Sequence, residues 1–235
     1  MTDAKRATCL VTGVGPGTGR AIVDRFASEY NVAMLARDAS RLDNIAKSID
    51  GTHAYPCDVS DTRALADTLD RVVNELGDPV IVIHNAVAAS LGDFMSIDPA
   101  RLQVSFEVNT LALLQLGQRL APAMVGRGNG VFICTGNTAA FRGKANFAGF
   151  APTKAAQRIL AESMARSVGP QGVHVAYVAI DAVISVPGAR ERFKDKPADF
   201  FCYPQDIADH IWYVAHQPRS AWTFETVIRP FRESW

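Results

Sequence analysis

Thr12-Gly13-Val14-Gly15-Pro16-Gly17-Thr18-Gly19 is the stretch that decides this fold. It follows a short apolar run, Thr8-Cys9-Leu10-Val11-Thr12, that reads as a β-strand. It precedes Arg20 to Tyr30, where Ile22, Val23 and Phe26 fall on one helical face. Glycines between a strand and a helix permit a tight turn. They also let backbone N–H groups approach an anion at the helix N-terminus, where unpaired amides and the helix dipole favour negative charge. Gly13, Gly15, Gly17, Thr18 and Gly19 are therefore candidate ligands of a pyrophosphate.

The strand-then-helix rhythm continues outward. Val32 to Ala36 reads as a second strand, and Ala39 to Ile49 as a helix with Leu42, Ile45 and Ile49 at helical spacing. Thr52 to Pro56 is a third strand. Asp61 to Leu76 is a helix capped by Ser60 or Asp61. Val80-Ile81-Val82-Ile83 is apolar on both faces, as a central parallel strand covered on each side must be. Pro99 to Val125 reads as a long helix, Val131 to Cys134 as a fifth strand, and Phe150 to Val168 as a helix. Val173 to Ile180, Pro204 to Ala215 and Thr226 to Ile228 complete the series as strand, helix and last strand.

Repeated β-α units predict an α/β fold of Rossmann type: a doubly wound parallel sheet in three α/β/α layers, with right-handed crossovers. The chain, 1–235, is expected to be one domain, since no linker or low-complexity tract interrupts it. Ser185 to Tyr203 breaks the rhythm with Pro187, Gly188, Pro197 and mixed charge. A segment like that after a sheet strand is a lid or a plain surface loop. A substrate lid over 185–203 is the expectation.

Composition narrows the function. Lys plus Arg and Asp plus Glu both number 24, so no electrostatic case exists for nucleic acid or an anionic membrane. Cys9, Cys57, Cys134 and Cys202 are scattered without a C-x-x-C pair and read as mostly buried thiols; no metal site is expected. Met1 to Thr8 is polar and carries no apolar signal core, and no apolar run approaches the ~18 residues of a membrane span. The expected setting is soluble, reducing and cytoplasmic.

Further stretches sharpen the reading. Cys57-Asp58-Val59 follows the third strand, and His84-Asn85-Ala86-Val87 follows the fourth. Glu107-Val108-Asn109-Thr110 lies in the long helix, Lys154 lies downstream, and Pro204-Gln205-Asp206-Ile207-Ala208 opens a late helix. Together with the T-G-x-x-x-G-x-G loop, these stretches resemble, in order and over almost the whole chain, the short-chain dehydrogenase/reductase family. The resemblance implies a nicotinamide dinucleotide cofactor and a small-molecule substrate. It implies adenine contacts at Asp58 and Val59, a cofactor-binding loop at Asn85 and Ala86, a structural asparagine at Asn109, and a ribose contact at Lys154. It also implies a homodimer or homotetramer built through the helices at 100–125 and 150–168.

Arg37 selects the nucleotide. Members of the family that use NAD usually end the second strand on an acidic residue that holds the ribose hydroxyls. Here Ala36 and Arg37 stand there, and Arg41 follows a turn later. A guanidinium binds a 2′-phosphate through paired charge-assisted hydrogen bonds, so NADP(H) is favoured over NAD(H).

The catalytic centre departs from the family. Its Tyr-x-x-x-Lys is replaced by Phe150-Ala151-Pro152-Thr153-Lys154, and the residue 13 before Phe150, usually serine, is Asn137. Phe150 has no exchangeable proton. Asn137 can still donate an amide N–H to a substrate oxygen. Losing a general acid typically costs ~10²–10⁴ in rate. Asp181, just past the sixth strand, is a candidate substitute, and His84 is a weaker one. The stretch Thr135 to Ala139 with Arg142-Gly143 also resembles a bacterial subgroup of the family with the same Phe-for-Tyr exchange. The expectation is an NADP(H)-dependent short-chain oxidoreductase with a non-standard active site. Its alternative is a catalytically inactive NADP(H)-binding protein, a sensor or partner subunit.

Overall fold

Thr8–Thr12 forms β1, buried along its whole length, and leads through the glycine loop into α1 (Thr18–Phe26). The computed structural model describes residues 6–232; the polar lead Met1 to Lys5 lies outside the described residues. β2 (Asn31–Ala36), α2 (Ala39–Ser48), β3 (Thr52–Pro56), α3 (Thr62–Leu76) and β4 (Ile81–His84) follow. Then come α4 (Pro99–Phe106), α5 (Ala112–Gly126), β5 (Gly130–Gly136), α6 (Ala151–Val168) and β6 (Val173–Ile180). The chain closes with β7 (Val183–Ile184), α7 (Pro187–Arg192), β8 (Phe201–Cys202), α8 (Pro204–Ala215) and β9 (Glu225–Ile228).

Seven strands pair in parallel in the order β3-β2-β1-β4-β5-β6-β9. The order reverses between β1 and β4, which opens a crevice beyond their carboxyl ends. Two apolar cores explain the three layers. One packs Leu65, Leu69, Leu113, Leu116 and Ala161, from α3, α5 and α6, against one sheet face. The other packs Ile22, Phe26, Leu42, Ile207 and Ile211, from α1, α2 and α8, against the opposite face. β4 and the eight-residue β6 are buried at every position, as covering on both sides demands. The Rossmann-type fold is the one the β-α rhythm predicts.

Several boundaries differ from the sequence reading. α1 starts at Thr18, inside the glycine loop, and stops at Phe26. Asp61, not Ser60, caps α3 by accepting from the N–H groups of Arg63 and Ala64. The helix expected over 99–125 is interrupted by a π-helical turn, Glu107–Leu111. Its centre, Asn109, is fully buried; Oδ1 accepts from the Ala88 N–H (3.1 Å) and Nδ2 donates to the Ala88 carbonyl (2.8 Å). Clamping that loop peptide to the helix accounts for a local widening that periodicity does not show. The segment 185–203 is less irregular than expected. It holds α7 and β8, and β8 pairs with β7 through Val183–Phe201 and Ile184–Cys202.

Candidate cofactor and active site

The glycine loop is shaped by close approach. Gly13 has φ of +71°, and a Cβ there would stand 2.5 Å from the Ala86 Cα. A Cβ on Gly19 would stand 2.3 Å from the Gly13 carbonyl oxygen. Asn85 clips this loop to the neighbouring strand: its Nδ2 donates to the Gly13 carbonyl (2.9 Å), and its Oδ1 accepts from the Thr135 hydroxyl (3.0 Å). Gly17 is the N-cap of α1 and supplies no side chain, so no side-chain cap meets the first amides. Thr18, in that first turn, has a buried hydroxyl with no hydrogen-bond partner among the described residues.

A cleft of about 700 Å³ opens at this point. Gly13, Gly15, Gly17, Thr18, Gly19, Arg37, Asp58, Val59, Asn85 and Ala86, all candidates from sequence, lie on its wall. The sequence reading missed Val104, Val108 and Ile184, which also line it. Their only signal is aliphatic character on elements that turn out to reach the cleft. A helix start without a side-chain cap and glycine surfaces on one cleft, with a buried orphaned hydroxyl in the same turn, fit the pyrophosphate of a dinucleotide.

The far wall carries charge. Arg37 is exposed at the end of β2 and makes no hydrogen bond or ion pair among the described residues. Arg41 is held by Asp38, Nη2 to Oδ2 2.8 Å, while Asp38 caps α2 by accepting from the Arg41 N–H. Asp58 accepts from the N–H (3.0 Å) and the hydroxyl (2.7 Å) of Ser60. Partial burial pushes its carboxyl up, but these two bonds and the Arg37 charge outweigh it and hold it below the ordinary carboxylate value.

The cleft stops short of Asn109, Asn137, Phe150, Lys154 and Asp181. Phe150 packs with Ala139, Ala151 and Phe147 in a small apolar cluster, its ring edge-on to Phe147 at 6.2 Å. Asn137 caps the short turn Thr138–Ala140, its Oδ1 accepting from the Ala139 N–H (3.0 Å). Asn109 also donates from Nδ2 to the Thr153 hydroxyl (2.9 Å), which donates in turn to the Phe150 carbonyl (2.8 Å). That chain ties the π turn to the start of α6. Lys154 is only 2% exposed; its Nζ donates to the Thr135 carbonyl (3.1 Å) and to Gln157 Oε1 (2.5 Å). Burial pulls its ammonium from 10.5 down to about 8, with Cys134 opposing weakly.

The two candidate substitute acids are both engaged. Asp181 accepts the Thr138 hydroxyl at 2.5 Å and faces the guanidiniums of Arg142 (3.7 Å) and Arg229 (3.9 Å). Three segments, after β5, β6 and β9, therefore meet on this one carboxylate. His84 is fully buried between the Thr12 hydroxyl (Nδ1, 2.9 Å) and the Val108 carbonyl (Nε2, 3.1 Å). Burial, and then the Lys154 charge, pull its imidazole down to about 4. A neutral ring donating from Nε2 and accepting at Nδ1 satisfies both contacts, so His84 is a strut, not an acid.

The sequence pattern of one family covers this architecture: the profile described as short chain dehydrogenase matches residues 7–196. The chain belongs to the short-chain dehydrogenase family. L-xylulose reductase of Bos taurus is 28% identical over 229 residues, 93% of this chain and 92% of that one. The 7alpha-hydroxysteroid dehydrogenase of Escherichia coli (strain K12) is 26% identical over 232 residues, 93% of this chain and 90% of that one. Among solved structures, a metagenomic short-chain oxidoreductase in complex with NADP superposes with a TM-score of 0.83 at 25% identity, covering 95% of this chain and 97% of that one. The closed form of a serine dehydrogenase complexed with NADP+ gives a TM-score of 0.88, with 97% and 96% covered; at 21% identity this is a likeness of fold.

Of the described residues, no group of three His, Cys, Asp or Glu side chains is arranged to hold a metal, and no helix is long and apolar enough to cross a membrane. Cys9, Cys57 and Cys134 are buried and Cys202 partly so; all four are free thiols.

Proposed function

We propose that this short-chain dehydrogenase family member is an NADP(H)-dependent oxidoreductase with a non-standard active site, acting on a small molecule. The observation that carries the proposal is the start of α1, without a side-chain cap and with the buried, partnerless Thr18 hydroxyl in its first turn, on the same cleft as the unengaged Arg37. A pyrophosphate satisfies the first, and a 2′-phosphate satisfies the second. When bound, the nicotinamide supplies or accepts hydride. Lys154 is the chain's cation for the nicotinamide ribose. Asn137, with Oδ1 spent on Ala139, keeps its amide N–H groups for a substrate oxygen. Phe150 excludes water but moves no proton. A substrate that needs little acid help, such as an activated alkene or an iminium, suits this set of residues.

The segment 185–203 acts as a lid: Ile184 at its root lines the cleft, and Val186 rests on the glycine loop. Exposed Val104, Leu111, Leu114 and Ile159, on α4, the π turn, α5 and α6, support a homodimer or homotetramer through those helices. The named relatives act on different substrates, so none lends this chain its own. A cytoplasmic location accords with the four free thiols.

A second reading, nucleotide binding without turnover, rests on two facts: Phe150 in place of a proton donor, and a Lys154 ammonium already engaged within the protein. The deciding experiment follows NADPH absorbance across carbonyl, enone and imine panels. Turnover on an enone or imine supports the oxidoreductase. Micromolar NADPH binding with no turnover on any class establishes the second reading. Equal affinity for NADH and NADPH overturns the cofactor assignment.

A further inference from the structure

Lys154 occupies an unusual seat. It is 2% exposed, and no carboxylate faces its ammonium among the described residues. The titratable groups beside it are His84 on β4 and the Cys134 thiol on β5, and neither offers a full negative charge. Its hydrogen-bond acceptors are the Thr135 carbonyl and Gln157 Oε1. A buried cation without a counter-ion is costly, so these two oxygens matter more than they would in water.

Gln157 is fully buried on α6, three residues after the lysine and on the same helical face. Its Nε2 finds no partner among the described residues. Buried amides are nearly always satisfied, and the exceptions ask for a cause. Here the cause is orientation. Turning the amide over would set Nε2 against the ammonium, donor to donor, and would strip Lys154 of its shortest hydrogen bond. The side chain leaves one end unsatisfied in order to present its oxygen to the lysine.

We propose that Gln157 is a positioning residue for Lys154: its carbonyl holds the ammonium against the end of β5, leaving one N–H for the cofactor ribose. The inference rests on the reading of Lys154 as the ribose ligand. Removing the amide oxygen removes an acceptor that stabilises the ammonium more strongly than the neutral amine. The ammonium then loses its proton at lower pH, and a neutral amine is a poorer ribose ligand.

The test combines two measurements on the full chain: Lys154 titration by 13Cε-lysine NMR without cofactor, and NADPH affinity as a function of pH. The Lys154→Met variant assigns the resonance. Gln157→Leu is expected to shift the Lys154 midpoint acidward by about one unit or more and to weaken NADPH binding at least several-fold at neutral pH. Gln157→Glu, which returns an acceptor and adds a charge, is expected to shift the midpoint to higher pH and retain NADPH affinity. A folded Gln157→Leu with unchanged midpoint and affinity overturns the proposal. If that variant does not fold, an unmoved midpoint in Gln157→Glu overturns it instead. If the midpoints move as expected but Lys154→Met binds NADPH as tightly as the parent, Gln157 does position the lysine and the ribose assignment is what fails.

Discussion

The Cγ1 of Val186 stands 2.6 Å from the point that a Cβ on Gly17 would occupy. The segment after β7 thus lies directly on the loop that opens α1. A glycine at 17 permits this close approach by another part of the chain. The root of the 185–203 segment and the phosphate loop form one surface. Gly17→Ala must push the valine side chain away. The expected outcome is a looser segment: limited proteolysis within 187–200 accelerates several-fold, while the melting temperature changes little, because local opening is cheaper than global unfolding. Adding Val186→Ala should restore protection. Unchanged cleavage in Gly17→Ala counts against the contact.

The proposed role of Arg37 is to read the nucleotide at the rim. Arg37→Ala should narrow the NADPH-over-NADH preference by about 1.5–3 kcal/mol, the worth of a hydrogen bond to a charged group, and leave NADH binding nearly unchanged. Isothermal titration with both nucleotides checks it. The neighbouring Arg41 cannot simply take over, because Asp38 already holds it.

Thr18 separates the phosphate loop from the rim. Its hydroxyl bonds nothing among the described residues, so the isosteric Thr18→Val should leave the melting temperature unchanged or slightly raised. Affinity for NADPH and NADH should fall together, by roughly tenfold or more, since both carry the pyrophosphate. A loss confined to NADPH would place Thr18 at the wrong phosphate.

His84 makes the fold acid-sensitive. Its folded value, about 4, lies below the ordinary 6.5. Between these values the unfolded chain binds a proton that the folded chain excludes. Stability from this residue is therefore complete above 6.5 and falls as pH drops towards 4, by up to ~1.4 kcal/mol per pH unit. Denaturant unfolding of the parent and of His84→Asn isolates the effect. The variant is less stable at neutral pH, having lost the strut between Thr12 and Val108, and the gap should narrow as pH falls through that window. A gap independent of pH would show that His84 does not exclude the proton.

Phe150 tests whether the pocket is conventional apart from its acid. Phe150→Tyr with Asn137→Ser is expected to create carbonyl reductase activity, by up to ~10²–10⁴ over the parent. The new phenol lies one turn before Lys154 at i+4, within reach of its charge. The pH–rate profile on a ketone panel should show an ionisation below that of free tyrosine. A folded, NADPH-binding double variant with no gain on any ketone means that the Phe150, Phe147 and Ala139 cluster has been rebuilt for other chemistry.

That the glycine loop, Arg37, Asp58, Asn85 and Ala86 converge on one cleft was legible because their determinants are local. The glycine loop joins adjacent elements, and Arg37, Asp58, Asn85 and Ala86 each sit just past the strand that delivers them. Once the β-α rhythm sets parallel strands side by side, those positions must converge at the carboxyl edge. The chemical end was legible only as a substitution. That Phe150 and Asn137 replace two hydroxyls is plain from spacing. That Asp181 is saturated by Thr138 and two arginines is not, because those partners come from segments about 40 residues away on either side.

The sequence by itself determined the fold class, the glycine loop that opens α1 and the absence of the phenol, since periodicity, glycine placement and residue identity are one-dimensional properties. Only the tertiary structure decided what the remaining polar groups do. It turned His84 into a strut, closed Asn109 around Ala88, set Val186 on Gly17 and seated Lys154 between Thr135 and Gln157. Most buried polar atoms are satisfied by whatever the packing brings within about 3 Å, and no reading along the chain reveals those neighbours.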